Sequence, residues 1–452
     1  MNANYSAAAV AYNHVINSNS ADNDYAEFQK AITHGLMGER EKMNTALQNF
    51  ITKNPQSNYA DDALYELGSS YANANQNQLA LQTFDKLNNQ YSSSPFVPKS
   101  ILRQGLVYYN DKQNEAALQK YKTVVNDFPG TNDAVEAVQN ARIIYREAGR
   151  TDEFASWVKN IDFVDISQAE LDNDSYQAAE QKLIQQDNKQ AITFFNNYLK
   201  NYPNGIHVLK AQFNLAELYF AENNMSSAIP HYVKVTQAAQ NEYTETAWMK
   251  LATIHLQQNN TEDAIRTLSQ LERVAGYEQN RIFAQANLMK LYEEQNNESQ
   301  AATYADKVLK NNKADKQMLV NAKIILARQA FRNNNHQQAQ SLFADIQQNA
   351  SGALAAEALY YDAFYKNRAK NYEASNQVVQ KLAKDYSAHK YFGAKGLILM
   401  AKNYYGLNDS YQATYILENV MSNFKQYTDV VSEAQTELNK IKAEETKRNS
   451  SI

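Results

Sequence analysis

The chain has 452 residues, 44% of them hydrophobic, with a formal net charge of −5 and no cysteine. That much apolar material argues against wholesale disorder, and the lack of cysteine removes disulfides, thiolate catalysis and Cys-based zinc sites. Lys and Arg are spread evenly under a negative balance, so there is no electrostatic footprint for nucleic acid.

The first segment, Tyr5 to Asn17, carries Ala8, Tyr12 and Val15 at the i, i+4, i+7 spacing of one helical face. No run of about 18 apolar residues occurs anywhere, so no membrane-spanning helix is expected. Met1 to Asn19 has no basic region followed by an apolar core, and hence no secretory signal. The next clear pattern lies between Asn54 and Thr131, where one motif occurs twice. Gly68, Tyr71, Ala80, Phe84 and Leu87 are followed, each 37 residues later, by Gly105, Tyr108, Ala117, Tyr121 and Val124. A period in this range signals a helical repeat array. Ala8, Tyr12 and Val15 match only the second half of the motif. The chain is therefore expected to begin midway through a repeat (1–20), with native sequence before it and Met1 added.

A first full repeat starts near Asp24, with His34 at the aromatic position, and a fourth keeps Tyr145 but has Phe154 in place of the alanine. Pro55, Pro129 and Pro203 stop the second helix of alternate repeats, Ser92 filling an intermediate slot. The first sub-array spans 21–161. An acidic stretch at 162–175 reads as a joint or long loop, and a second sub-array, continuous with the first, spans 176–425. Its repeats include Ala191, Phe195 and Tyr198; then Leu215, Ala216, Tyr219, Ala228, Tyr232 and Val235, with Pro230 in the first turn of a helix. Trp248, Leu251, Ala252, His255, Ala264 and Leu268 follow, and three further copies lead to Ala401, Tyr404, Ala413 and Leu417. The remainder, 426–452, is a helix with Val430, Ala434, Leu438 and Ile441 on one side and polar residues elsewhere, suited to cover the end of a stack, with a frayed tail. Asn-rich turns such as Asn73 to Asn77 and Asn333 to Asn335 suit the left-handed residue that ends a helix.

Each repeat divides into two apolar-periodic segments with small residues where they must cross closely. This pattern resembles the tetratricopeptide repeat: Leu64-x-x-Leu67-Gly68-x-x-Tyr71 followed by Ala80, and Trp248-x-x-Leu251-Ala252-x-x-His255 followed by Ala264. The resemblance implies an all-α fold, an α-solenoid (superhelix) of about eleven and a half stacked hairpins plus a C-terminal capping helix. The wording of Gln56 to Pro95 is similar to periplasmic and outer-membrane-associated members: the Tol-Pal coordinator family, the barrel-assembly lipoprotein and large Bacteroidota envelope proteins.

No phosphate loop, nucleophile elbow or metal-spaced histidine pair exists. Neither catalytic residues, cofactor nor metal is expected. His34 and His255 take packing positions, and the pairs Asp61/Asp62 and Asp172/Asp174 read as helix caps. In this family the first helix of each hairpin lines a concave groove. Mapped onto this chain, the groove stripe comprises Tyr65, Tyr109, Tyr176, Phe213, Phe220, Phe364 and Tyr405, with Lys99, Lys210, Arg328, Lys395 and Lys402 interspersed. Aromatics with cations are common interface anchors. The expectation is a non-catalytic scaffold that holds partner proteins or peptide segments in this groove, within an outer-membrane-associated complex. A cytosolic regulatory adaptor and a non-catalytic subunit of an enzyme complex are the alternatives.

Overall fold

The computed structural model describes residues 4–18 and 21–449. Met1 and the end of the tail, 450–452, lie outside the described residues, as do 19 and 20. The described residues form 24 α-helices and no strand, and the chain divides into two compact units, Met1–Asn224 and Met225–Ile452.

Unit 1 opens with α1 (Tyr5–Asn17). Its hairpins are α2 (Asn23–Leu36) with α3 (Arg40–Lys53), α4 (Ala60–Asn73) with α5 (Asn77–Gln90) and α6 (Val97–Asn110) with α7 (Asn114–Asp127). They continue with α8 (Asn132–Glu147), α9 (Thr151–Val158), α10 (Gln168–Ile184) and α11 (Asn188–Asn201), and α12 (Val208–Ala221) closes the unit. Unit 2 runs from α13 (Met225–Gln237) through α14 (Thr244–Gln257), α15 (Thr261–Val274), α16 (Glu278–Glu294), α17 (Glu298–Lys310), α18 (Lys316–Arg332) and α19 (His336–Asn349). It ends with α20 (Gly352–Arg368), α21 (Tyr372–Asp385), α22 (Lys390–Gly406), α23 (Ser410–Asn423) and α24 (Thr428–Asn449). Even-numbered helices from α2 onward are called A helices and odd-numbered ones B helices; within each unit an A helix and the B helix after it form a hairpin. The fold is an all-α solenoid of helical hairpins.

The turn within each pair repeats one device. The residue after the A-helix C-cap is left-handed at every step: Gly38, Asn75, Lys112, Gly149, Gln186, Asn223, Asn259, Asn296, Asn334, Lys370 and Asn408. In the α4–α5 turn, Asn75 N–H donates to Ala72 C=O at 3.0 Å and Gln76 N–H to Tyr71 C=O at 2.9 Å. This double bond pattern satisfies carbonyls that the helix end leaves open. The next residue then caps the B helix; Asp187, Asn260, Asn297, Asn335 and Asp409 accept from a backbone N–H of the first turn. The abundance of Asn follows from these two demands. Asn75→Gly is expected to be nearly neutral, whereas Asn75→Val should cost about 1–2 kcal/mol, because a β-branched residue resists positive φ. Urea midpoints of the two variants check this.

The crossings are as tight as the small residues imply. A Cβ on Gly68 would lie 2.6 Å from the Phe84 ring, and one on Gly105 would strike Tyr121. Ala80, Ala117, Ala191, Ala228 and Ala413 are fully buried. Tyr71 and Tyr219 carry hydroxyls that find protein partners. Each accepts a side-chain amide N–H from the preceding B helix, from Gln48 at 2.5 Å and Asn196 at 3.2 Å.

Local structure departs from expectation at Pro230 and at Asp172 and Asp174, and gives detail to the segment 162–175. Pro230 is the sixth residue of α13, beyond the first turn, so it withholds an N–H that the helix could have used. The helix α9 has only 8 residues. The chain from 159 to 167 has no helix, and Ile161, Phe163, Val164 and Ile166 pack onto the core where further helix would otherwise lie. The segment 162–175 thus lies inside unit 1, and its second half belongs to α10, which Ser167 and Glu170 start with a reciprocal capping box. Finally, Asp172 and Asp174 are not caps. Both are buried within α10: Asp172 accepts Ile206 N–H at 2.7 Å, and Asp174 receives Arg142 Nε at 2.5 Å. The acids at Asp61 and Asp62 do lie in the first turn of α4, without a side-chain cap bond.

Candidate interaction surface

Within each unit the A helices lie side by side, and two kinds of contact tie neighbouring A helices together. The first is aromatic. Tyr59, Phe96 and His207, each the N-cap of an A helix, stack on an aromatic of the preceding A helix. The pairs are Phe28–Tyr59 at 5.7 Å, Tyr65–Phe96 at 5.1 Å and Tyr176–His207 at 4.3 Å between ring centroids, at one constant sequence offset. Lys99 sits 5.7 Å above Phe96 and is itself exposed.

The second is ionic. In unit 1, Tyr109 on α6 donates to Glu147 on α8 at 3.0 Å, and Arg142 on α8 reaches Glu170 and Asp174 on α10. Lys210 on α12 binds Glu180 on α10 at 2.7 Å, where Tyr176 also donates at 3.0 Å. Burial alone would raise the Glu180 carboxyl, but the Lys210 ammonium and the Tyr176 hydroxyl hold it below its ordinary value. In unit 2, Arg328 on α18 forks onto Glu357 of α20 (2.8 and 2.6 Å) and reaches Glu293 of α16 at 2.7 Å. Lys402 on α22 pairs with Glu433 at 3.1 Å and Glu437 at 3.8 Å on α24; Lys395 lies 3.8 Å from Glu433, and Tyr405 donates to Glu444 at 2.8 Å. Phe364 packs edge-on against Phe331 of α18 at 5.3 Å. Phe213 and Phe220 are half-buried on α12.

Family models for the tetratricopeptide repeat match residues 62–94 and 99–131, and a tetratricopeptide repeat-like domain model matches 157–282. This is a tetratricopeptide repeat protein. Among solved structures, it is similar to a tetratricopeptide repeat protein from Parabacteroides merdae, with 17% identity over 56% of this chain and 93% of that one, TM-score 0.30. It is similar also to yeast Tom70 (10% identity, 94% and 96% covered, TM-score 0.29) and to MamA (21%, 34% and 85%, TM-score 0.29). No curated protein sequence matches the chain.

Of the twelve stripe residues of this tetratricopeptide array, Tyr65 and Lys99 share one cluster, Tyr176 and Lys210 another, and Lys395, Lys402 and Tyr405 a third facing α24. Tyr109, Arg328 and Phe364 each bridge to a different neighbour. What the residue list missed are the acids that complete the bridges, notably Glu147, Glu293, Glu357 and Glu433. A signal existed, because each lies roughly one period from its partner: 38 residues for Tyr109–Glu147, 35 for Glu293–Arg328 and 31 for Lys402–Glu433. Among the described residues, no three His, Asp or Glu side chains converge to hold a metal.

His255 occupies the aromatic position of its repeat at 8% exposure, and its Nδ1 has no hydrogen-bond partner. Burial pushes its pKa down, with Asp263 opposing and Arg266 adding. A folded-state value below the unfolded one means that the unfolded chain takes up the proton first. The stability is complete above the unfolded value of about 6.5 and is lost as pH falls through the folded value. His255→Phe is therefore expected to lose less of its urea midpoint than the parent between about pH 7.5 and pH 5.

Proposed function

We propose that this protein is a non-catalytic scaffold that holds protein or peptide partners along its A-helix faces, within an outer-membrane-associated assembly in the periplasm. The observation that carries the scaffold reading is the cross-bridged A-helix stripe. Ion pairs and stacked rings between successive A helices fix their spacing before a partner arrives, so little ordering cost falls on the scaffold at binding. Tyr65, Tyr109, Phe213, Phe220, Phe364 and Tyr405 keep part of their rings at the surface, where an apolar side chain of a partner can cover them, and Lys99 offers an exposed cation beside Tyr65. The envelope assignment is supported by the wording of Gln56 to Pro95.

Photo-crosslinkers placed singly along the A-helix stripe and along the B helices, in the native cell, test the first part. The expected result is adducts with the same few proteins from A-helix positions of neighbouring hairpins. Adducts confined to B-helix positions would overturn it. Fractionation of the source cells tests location: recovery with cytosolic rather than envelope markers removes the second part and leaves the first standing.

A further inference from the structure

Away from the A-helix stripe, unit 2 has a cavity of about 340 Å³ between the loops that join its last hairpins. Its apolar walls are Tyr386, the residue ending α21, Phe424, the residue ending α23, and Leu397 of α22. One side is open because α22 has Gly393 there. A Cβ built on Gly393 meets nothing within 4 Å. The corresponding helix position in α6 is Val97, buried in the core at 6% exposure. The vacancy is thus a missing side chain rather than a gap between badly fitted helices. At about 300–1,000 Å³ for ligand pockets in general, the volume suits one bulky apolar side chain.

The rim is positive. Lys390 lines the mouth, and Lys384 and Lys425 flank the two loops. All three are exposed, and none makes an ion pair among the described residues, whereas Lys395 and Lys402 on the neighbouring face of α22 are paired with Glu433. Two acids lie nearby, Asp385 and Asp429, both exposed; Asp429 accepts the Tyr391 hydroxyl at 2.8 Å, and neither acid is ion-paired with these lysines. Three unpaired ammonium groups outnumber these two carboxylates, and a net positive rim around an apolar slot favours carboxylates next to an apolar residue.

We propose that this cavity is a docking pocket for an acidic peptide segment, whose aromatic or large aliphatic side chain enters beside Gly393 while flanking carboxylates meet Lys390, Lys384 and Lys425. This rests on the scaffold reading and adds to it a second site, off the A-helix stripe, with its own ligand chemistry. The pocket is the part that a partner's sequence would have to match, and the stripe is not required for it.

The test is fluorescence anisotropy with a labelled peptide of a central Phe flanked by three Glu on each side, titrated with the full chain at low salt. Saturable binding is expected, weakened at least tenfold when the peptide's Phe becomes Ala and similarly when its Glu become Lys. Gly393→Leu is the decisive variant. A Cβ there meets nothing within 4 Å, so the Leu side chain is directed into the cavity, and replacing a helical glycine does not lower stability there. A thermal midpoint at or above the parent's with binding lost at least tenfold is the expected pair of results. Lys390→Glu should weaken binding and flatten its salt dependence. No saturable binding to the parent chain, equal binding of the Lys-flanked peptide, or full binding by Gly393→Leu overturns the pocket. A-helix crosslinks in the cell are independent of all three, so the scaffold reading stands or falls separately.

Discussion

Phe84→Ala is expected to destabilise unit 1 by about 3–5 kcal/mol, the range for a fully buried Phe truncated to Ala. Phe84 has no exposed surface, and its ring lies across Gly68 of α4 and 6.2 Å from the Tyr65 ring. Glycine on the facing helix has no side chain with which to fill the hole, so relaxation is limited. Because each hairpin of a repeat array contacts chiefly its neighbours, the loss should be regional. Hydrogen exchange should show α4 to α7 deprotected strongly, with the hairpins of unit 2 close to the parent. A shift of less than about 1 kcal/mol, or a uniform loss over both units, would mean that the ring is not the wedge described.

The second large effect concerns Arg328. Arg328→Ala removes the fork that satisfies Glu357, a carboxylate at 4% exposure on α20, and leaves it buried with neither its cation nor water. The expected cost is about 3 kcal/mol, at the lower edge for breaking a buried pair, since Arg328 retains some solvent contact. The double variant Arg328→Met with Glu357→Leu should recover most of it, because the charge that had to be compensated is gone. Chemical denaturation with both variants separates this from a purely interfacial role. Full stability of Arg328→Ala, with partner crosslinks lost, would assign the residue to binding alone.

The repeat period, the hairpin crossings and the Asn turns were legible in the sequence because they are local demands. Glycine faces a ring, alanine faces a helix, and Asn accepts positive φ; each recurs at a fixed step, so repetition reveals it. The shortened α9 was foreshadowed only by Phe154 and a thinning of the pattern. That 159–167 would fold back onto the core depended on Ile161, Val164 and Ile166 finding apolar neighbours on other helices. The stripe of Tyr65, Arg328 and its companions was placed on the A helices by mapping the groove that the family resemblance implies, and such a mapping assigns a face without assigning a partner.

By itself, then, the sequence determined an array of helical pairs with its registers, small-residue crossings and turn chemistry, since those follow from interactions within about one period. Only the tertiary structure decided that Asp172 and Asp174 are buried cross-links rather than caps, and that Arg328, Tyr109 and Lys402 spend their polar atoms on neighbouring A helices. It also decided that Gly393 leaves a cavity where Val97 fills one. The physical reason is the same in each case. A charge or a vacancy takes its meaning from atoms roughly 30–40 residues away along the chain, and in a solenoid only stacking brings them within hydrogen-bond or van der Waals reach.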